Sequence, residues 1–309
     1  MQYPLRMAVT DDFKDPVRFV EVHGTTILKS LNPPPENLPA ALYHYTSGQG
    51  LLGILDSGYL NCTNLLYMND SSEMDYGRAI VRRIAEDLSP ISDGVQTFMQ
   101  YLLRNVEQPD FQYYVTCFCE KPDLLSQWRA YGGQTAGYSL GFDADDLQTV
   151  LPEYSELVRI IYDPVEQERA VRALLQSCVG VAEECCAAYR AHQRLEDAMT
   201  RWAAISSNQV GRLITCLKSE VFAEEHEWRA VIIRFSFDTS GHRFRLAANG
   251  IVVPYYPWLF KKQGVKAARQ VQHGPTVNST LAVRSVGLLL ETLGYRDVTI
   301  RALAIPLRG

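Results

Sequence analysis

Two strand-like runs that enclose a short polar and aromatic segment place the strongest constraint on this fold. The first run, residues 114–118, is rich in β-branched and aromatic side chains, and the second covers residues 138–142. Between them lie residues 126–131, followed by two glycines that end the segment. Because strands hold the residues that connect them in fixed positions, this layout predicts a site between the two strands.

The other periodic segments favour an α+β fold. Strand-like runs at residues 41–45 and 59–64 mix with helical patterns, without the strict alternation of strand and helix that a parallel α/β sheet requires. Later in the chain we expect a weaker strand at residues 244–253. We interpret the aromatic residues 255–260, which include a proline, as a loop.

Proline and glycine content suggests how the chain is divided. Three consecutive prolines at residues 33–35 exclude a helix there, so we predict an N-terminal extension and linker over residues 1–39. A single domain is predicted over residues 40–309. Within it, residues 163–220 hold few glycines or prolines and predict a helical insertion. The last predicted helix of this insertion carries three apolar residues at helical spacing: Leu213, Leu217 and Val221.

The composition is that of a globular protein without a broad basic surface. Apolar residues make up 47% and charged residues 21% of the 309 residues, enough for a full core. The net charge of −5 disfavours general binding to nucleic acid. The sequence has no apolar run of the roughly 20 residues that a membrane span needs and no signal-peptide core, and its seven cysteines favour reduced thiols. We therefore expect a cytoplasmic protein with no membrane partner.

Two short motifs carry groups that can perform chemistry. His44 ends a strand beside hydroxyl side chains, where its imidazole can bind a ribose diol or a phosphate. The alternative is a histidine that caps the turn into a helix. Glu225 and Glu227 precede a strand, whose alternation would place both carboxylates on one face to stabilise a developing positive charge. The alternative is an exposed charged turn in which Glu227 pairs with Arg229 or Arg234.

The cysteines do not predict a metal site. Cys117 and Cys119 are closer in sequence than zinc ligands usually are, and the chain has no second pair at zinc-ligand spacing. Alternation along a strand would place both thiols on one face, which we assign to the core.

The motifs resemble an uncharacterised, mainly bacterial domain family. Five of them occur in order: HYT at 44–46, YxNDxxE at 67–73, SxWxxY at 126–131, GxxLGF at 137–142 and ExEWR at 225–229. This family in turn resembles the ADP-ribosyltransferase superfamily. In that superfamily an early strand supplies a histidine or arginine, a middle strand is followed by a serine and a tyrosine, and a late strand begins with the catalytic glutamate. The resemblance spans about residues 42–307 and implies a split mixed sheet with helical insertions.

The resemblance implies that NAD is bound and cleaved as a substrate, without a metal. Glu227 would stabilise the ribosyl cation as nicotinamide leaves, and Glu225 would deprotonate or position the acceptor. Tyr131 would stack on nicotinamide, and His44 would hold the ribose. These four residues form the catalytic set that the resemblance implies.

The NAD contacts implied by the resemblance come from three segments: His44, Tyr45 and Thr46, then Asn69, then Ser126, Trp128, Arg129 and Tyr131. Ser126 would also orient Glu227. For Trp128 and Arg129 the alternatives are core packing and a structural ion pair. For residues 67–73 the alternative is a turn followed by a helix cap.

We therefore expect an NAD-dependent ADP-ribosyltransferase that modifies an unknown protein or nucleic acid, as a toxin or defence effector. One alternative is an NAD glycohydrolase, in which water is the acceptor. Another is a non-catalytic module that senses a nucleotide or binds a partner. A nucleic-acid-binding domain would instead rely on clustered basic residues: Arg78, Arg82, Arg83, Lys261, Lys262, Lys266 and Arg269.

Overall fold

The computed structural model describes residues 15–31, 38–68, 72–88, 92–132, 137–247, 249–262, 267–275 and 278–302. Within these residues the chain is α+β, as the sequence predicts, and its sheet is mixed but mostly antiparallel. The helices in these ranges are too short or too polar to cross a membrane.

The described residues form ten strands and nine α-helices. The strands are β1 Ala41–Thr46, β2 Tyr59–Asn64, β3 Phe111–Cys119, β4 Tyr138–Asp143, β5 Ser155–Arg159, β6 Glu227–Phe235, β7 Arg243–Leu246, β8 Val252–Leu259, β9 Ala268–His273 and β10 Thr299–Ala302. The helices are α1 Pro16–Leu31, α2 Gly48–Ser57, α3 Ser72–Leu88, α4 Asp93–Glu107, α5 Leu125–Tyr131, α6 Ala144–Thr149, α7 Pro164–Ala188, α8 Leu195–Ile214 and α9 Ser279–Thr292.

The chain divides into two compact units, one helical and one built on the sheet. The helical unit draws its described residues from segments 1–34, 75–110 and 163–215, and the sheet unit takes the rest. Both α7 and α8 lie within the segment 163–220, which the sequence predicts to be an insertion. They share the helical unit with α1 and α4. The domain boundaries expected from the sequence stay predictions.

The helix α7 begins where its sequence predicts. Asp163 caps it by accepting a hydrogen bond from the Glu166 backbone N–H at 2.8 Å, and Pro164 occupies the first turn, where its missing N–H costs nothing. The predicted helix through Leu217 and Val221 is wrong, because α8 ends at Ile214. Leu217 instead forms a parallel bridge with Ile161 in the sheet unit.

The sheet forks at β3. Along one edge, β6 pairs with the whole of β3. Along the other edge, β1 pairs with Cys119, while β2 pairs with Tyr114 and Val115. Because β1 and β2 share this edge at different heights, they diverge and leave a gap beside residues 116–118. We call this gap the fork.

The interpretation of residues 255–260 as a loop is wrong, as is that of 244–253 as one strand. The segment 252–259 is β8, which pairs with β2 on one side and with β7 on the other. The pairing with β7 ends at Tyr255, so Pro257 lies where one side of β8 is open, a setting in which a strand tolerates proline.

The core of the sheet unit lies on one face of the sheet, beneath α2, α6 and α9. Trp258 is 1% exposed, and its indole N–H donates to the Val150 carbonyl at 2.8 Å, so its polar atom is satisfied within the core. Other large members of this core are Leu42, Leu55, Leu60, Phe118, Phe142, Leu147, Trp228 and Leu290.

Two leucines of α2 provide a matched test of this core. Leu55 is fully buried, whereas Leu52 is 53% exposed on the same helix. We expect Leu55→Ala to lower the free energy of unfolding by about 2–5 kcal/mol, because it leaves a cavity. Leu52→Ala should change it by less than about 0.5 kcal/mol. Urea unfolding followed by tryptophan fluorescence measures both, and equal effects would contradict the assigned core face.

Candidate functional site

A cavity of about 1060 Å³ opens around the fork. On β2, Tyr59, Asn61 and Thr63 line this cavity, whereas Leu60 and Cys62 point into the core, as strand alternation requires. The volume is at the upper end of the range for small-molecule sites.

His44 bridges the fork. Its Nδ1 donates to the carbonyl oxygen of Cys117 at 2.9 Å, a group that lies between the residues of β3 that pair with β1 and β2. Burial lowers the pKa of His44, although the hydrogen bond to Cys117 opposes this shift. The neutral ring therefore carries its proton on Nδ1, and Nε2 is an acceptor. The cap of α2 is Ser47, not His44.

Glu225 and Glu227 come together, but not through strand alternation. Residues Glu220–Glu225 form a 3₁₀ helix, His226 is left-handed with φ of 44°, and β6 begins only at Glu227. The expectation that both carboxylates lie on one strand face is therefore wrong. They meet at Lys218, whose Nζ is 2.6 Å from Glu225 Oε2 and 3.0 Å from Glu227 Oε2.

These groups belong to a charge cluster of four buried residues, Glu73, Lys218, Glu227 and Arg229, and the half-buried Glu225. Arg229 is 1% exposed; its Nε donates to Glu227 Oε1 at 2.7 Å, and its Nη2 binds both Glu227 and Glu73. Lys218 Nζ also lies 3.1 Å from Glu73 Oε1. When all five are ionised, three carboxylates and two cations leave one net negative charge.

The two glutamates at 225 and 227 have different environments. Burial alone would raise the pKa of Glu227, but Arg229 and Lys218 outweigh it and lower the pKa to about 2. For Glu225, burial raises the pKa, and Lys218 offsets this only in part. The Glu225 side chain is 25% exposed, against 6% for Glu227, and among the described residues Lys218 is its only ionic partner. Glu225 is thus the carboxylate that a ligand can reach.

The aromatic residues predicted for the site divide into two groups. Tyr131 ends α5, lines the cavity and is 42% exposed. Tyr45 also lines the cavity, but its hydroxyl accepts from the Leu124 N–H and donates to the Lys121 carbonyl. Its ring packs edge-on against Trp128 with centroids 4.9 Å apart. Trp128 is buried and does not line the cavity, so core packing fits it better than a contact with NAD. Tyr45 and Trp128 together position α5.

Of the other residues predicted to contact NAD, one lines the cavity and the rest do not or lie outside the described residues. Thr46 lines the cavity next to Gly50, where a Cβ would lie 2.0 Å from the threonine hydroxyl, so a larger residue would force the Thr46 side chain to move. Ser126 does not orient Glu227, since its buried hydroxyl has no hydrogen-bond partner in the described part of the chain. Arg129 is exposed and outside the lining. Asn69 lies outside the described residues.

The structure adds lining residues that the sequence analysis missed. Cys117 and Cys119 both line the cavity, and Cys119 also packs in a small hydrophobic cluster with Tyr45 and Trp128, so its core assignment is confirmed. Lys218, which also lines the cavity, lies in a segment that the sequence predicts to be a helix. Arg243 and Arg245 of β7 also line it. The alternation of arginine with apolar residues in β7 was a signal that could have identified these two side chains.

The basic residues considered for nucleic-acid binding are mostly paired. Four of the seven bind carboxylates, in the pairs Arg78–Asp75, Arg82–Glu107, Arg83–Glu168 and Arg269–Asp146. Lys266 lies outside the described residues. These pairs reduce the positive charge that a phosphate backbone would meet.

Removing the buried guanidinium group of Arg229 should destabilise the protein strongly. Arg229→Met leaves Glu73 and Glu227 buried without their main partner, so the free energy of unfolding should fall by about 3–5 kcal/mol. Arg269→Met, which breaks a pair at a 45% exposed strand arginine, is the control and should cost about 1 kcal/mol or less. Urea unfolding compares the two variants. Similar losses would mean that burial of Arg229 does not matter.

The low pKa of Glu227 predicts a specific pH dependence. Because the folded pKa is about 2 instead of 4.5, the stability that ionised Glu227 contributes is present above about pH 4.5 and is lost as the pH falls toward 2. The gap in unfolding free energy between wild type and Glu227→Gln should therefore narrow by up to about 3 kcal/mol over this range.

Urea unfolding of both proteins between about pH 6 and about pH 3 measures this gap, and about 2 kcal/mol of the narrowing falls within that interval. The raised pKa of Glu225 acts in the opposite direction, but it is present in both proteins and largely cancels. Exposed Glu291→Gln controls for the loss of one charge. A difference in unfolding free energy that does not change with pH would contradict the low pKa of Glu227.

Comparison with known proteins gives one family match. Residues 127–230 match a family model described as a protein of unknown function, DUF2971. The matched segment begins within the SxWxxY motif and includes GxxLGF and ExEWR, so the expected similarity to an uncharacterised family is confirmed at that level. Neither curated proteins nor solved structures match the chain.

Proposed function

We propose that the cavity binds NAD and transfers its ADP-ribosyl group to a macromolecular acceptor. One observation carries the proposal: His44, Tyr131 and Glu225, from three distant segments, line one cavity at the fork. These are residues to which the sequence resemblance assigns ribose binding, nicotinamide stacking and acceptor activation. The fold is consistent with that resemblance. It is α+β with a forked sheet, an early strand carries a histidine, and a late strand begins with a glutamate.

The electrostatics of the cavity suit NAD. The oxidised nicotinamide ring is cationic, and the charge cluster next to Tyr131 carries one net negative charge when fully ionised. Tyr131 offers an aromatic face on which a cationic ring can stack. The cavity volume of about 1060 Å³ is large enough for a dinucleotide.

The reaction can be written from these groups. The bond between ribose C1′ and the nicotinamide nitrogen breaks, and its electron pair leaves with nicotinamide, which becomes neutral. Positive charge then spreads over C1′ and the ring oxygen of the ribose, where the net negative charge of the cluster stabilises it. The acceptor attacks C1′ and gives its proton to Glu225.

The two glutamates take different roles in this proposal. Both oxygens of Glu227 already accept from Arg229 or Lys218, so Glu227 positions the cluster and supplies fixed charge. Glu225 is more exposed and has a raised pKa, which suits a general base better than a strongly acidic carboxyl does. His44 Nε2 would accept a hydrogen bond from a ribose hydroxyl.

A second candidate is a module that binds a nucleotide without turnover. The ion pairs of Glu227 favour this candidate, because Arg229 and Lys218 neutralise the charge that would stabilise the transition state. An NAD glycohydrolase would use the same groups with water as the acceptor. The three functions differ in two measurable products, free nicotinamide and an ADP-ribosylated macromolecule.

We expect Glu225→Gln to abolish most of the NAD cleavage. The substitution removes both the positioned base and the net negative charge of the cluster, so the rate of nicotinamide release should fall about 10²–10⁴-fold. Glu224→Gln, at the exposed neighbouring position, should retain the wild-type rate. Mass spectrometry of nicotinamide and of ADP-ribose adducts, with cell lysate as the source of acceptors, measures both products. Glu227→Gln should also lose activity, with a fall in stability that Glu225→Gln does not share.

The outcomes separate the three candidates. Nicotinamide release without an adduct would indicate a glycohydrolase. A rise in melting temperature with NAD, but no nicotinamide release in any lysate, would leave the binding module. Wild-type activity in Glu225→Gln would refute the proposed division of roles.

A further inference from the structure

Two arginines at the far side of the cavity have no role in the proposed reaction. Arg243 and Arg245 alternate on β7, so both side chains lie on the strand face that lines the cavity. Arg243 stands opposite Tyr255 of β8, which also lines the cavity. Both arginines are exposed.

Both guanidinium groups extend over β8 toward β2. The Arg243 guanidinium carbon lies 5.9 Å from the ring centre of Tyr59, and Arg245 Nη2 donates to Thr63 Oγ1 at 3.3 Å. Within the described part of the chain neither arginine has a carboxylate at ion-pair distance, in contrast to Arg229. Two exposed cations on alternate residues of one strand, without a carboxylate partner, favour binding of an anion beside them.

The arginine pair is separated from the charge cluster by a distance that one metabolite can bridge. Thr63 pairs with Val115 of β3, and Glu227 pairs with Cys119 four residues further along the same strand. Ordinary strand spacing and rise then place the backbones of Thr63 and Glu227 about 16 Å apart. The cavity thus has a net negative end and a positive end.

We propose that Arg243 and Arg245 bind the phosphate groups of a nucleotide ligand. A planar guanidinium group matches phosphate oxygens with two parallel hydrogen bonds, and two such groups on one strand face offer donors to both phosphates of a diphosphate. Tyr59 and Tyr255 lie next to the pair and offer ring faces to the base or sugar. Oxidised NAD, with a cationic ring and a diphosphate, matches both ends. The identity of the ligand rests on the proposed function, whereas phosphate binding does not require transfer.

The test compares ADP with adenosine, which lacks the phosphates. Isothermal titration of the full chain should show ADP binding at least about tenfold more tightly than adenosine at low salt. Arg243→Gln/Arg245→Gln should weaken ADP binding about 10–100-fold and leave adenosine binding within about twofold of wild type. Arg284→Gln/Arg301→Gln removes two exposed arginines from α9 and β10 and is the charge-matched control.

Several outcomes would overturn the proposal: no ADP binding by wild type, unchanged ADP binding in Arg243→Gln/Arg245→Gln, or an equal loss in the control. Equal melting temperatures of the variants exclude misfolding as the cause. Arginine-dependent ADP binding without NAD cleavage would support the phosphate site and refute the transferase. NAD cleavage with an unchanged KM in Arg243→Gln/Arg245→Gln would support the transferase and refute the phosphate site.

Discussion

The burial of Arg229 is the constraint on which the net negative end of the cavity depends. A guanidinium group cannot lose its proton in a protein, so a side chain that is 1% exposed must be matched by carboxylates. Glu227 supplies one from the same strand, and Glu73 supplies another from α3. Lys218 then balances the excess negative charge and draws Glu225 to the site. The desolvation of these ions offsets much of their attraction, so the network fixes a geometry more than it stabilises the fold.

The fork explains why this charged end adjoins a cavity. Where β1 and β2 diverge, the edge of β3 loses strand partners, and an unsatisfied backbone carbonyl there would cost about 1–3 kcal/mol. His44 satisfies the carbonyl of Cys117 from β1. The same hydrogen bond fixes the tautomer of the ring and leaves Nε2 as an acceptor. One side chain thereby meets a requirement of the fold and defines a polar group of the site.

Some local features of this protein could be predicted from the sequence, whereas the pairing of β8 and the composition of the charge cluster could not. Gly58, whose left-handed backbone ends α2, and Asp163, which caps α7, depend only on a few neighbouring residues, so both helix ends are visible in the sequence. The strand β8 was missed because its pairing with β2 and β7 outweighs the local effect of its prolines. Lys218 was missed because its role depends on carboxylates that come from other segments. Periodicity alone could not separate Trp128 as a packing residue from Tyr131 at the cavity.

Burial and neighbouring cations also explain why the pKa values of Glu225 and Glu227 differ, and this difference affects any chemistry at the site. The sequence presents two equivalent carboxylates, but one is enclosed with two cations and the other touches only one, at the margin of the cluster. The first therefore has a pKa near 2 and is ionised throughout the physiological range, whereas burial raises the pKa of the second. Two carboxyl groups with pKa values displaced in opposite directions can divide charge stabilisation from proton transfer. Lys218 contacts both Glu225 and Glu227. Protonation of Glu225 would therefore shift the Lys218 ammonium group toward Glu227 and Glu73, so the protonation state of Glu225 is coupled to these two buried carboxylates.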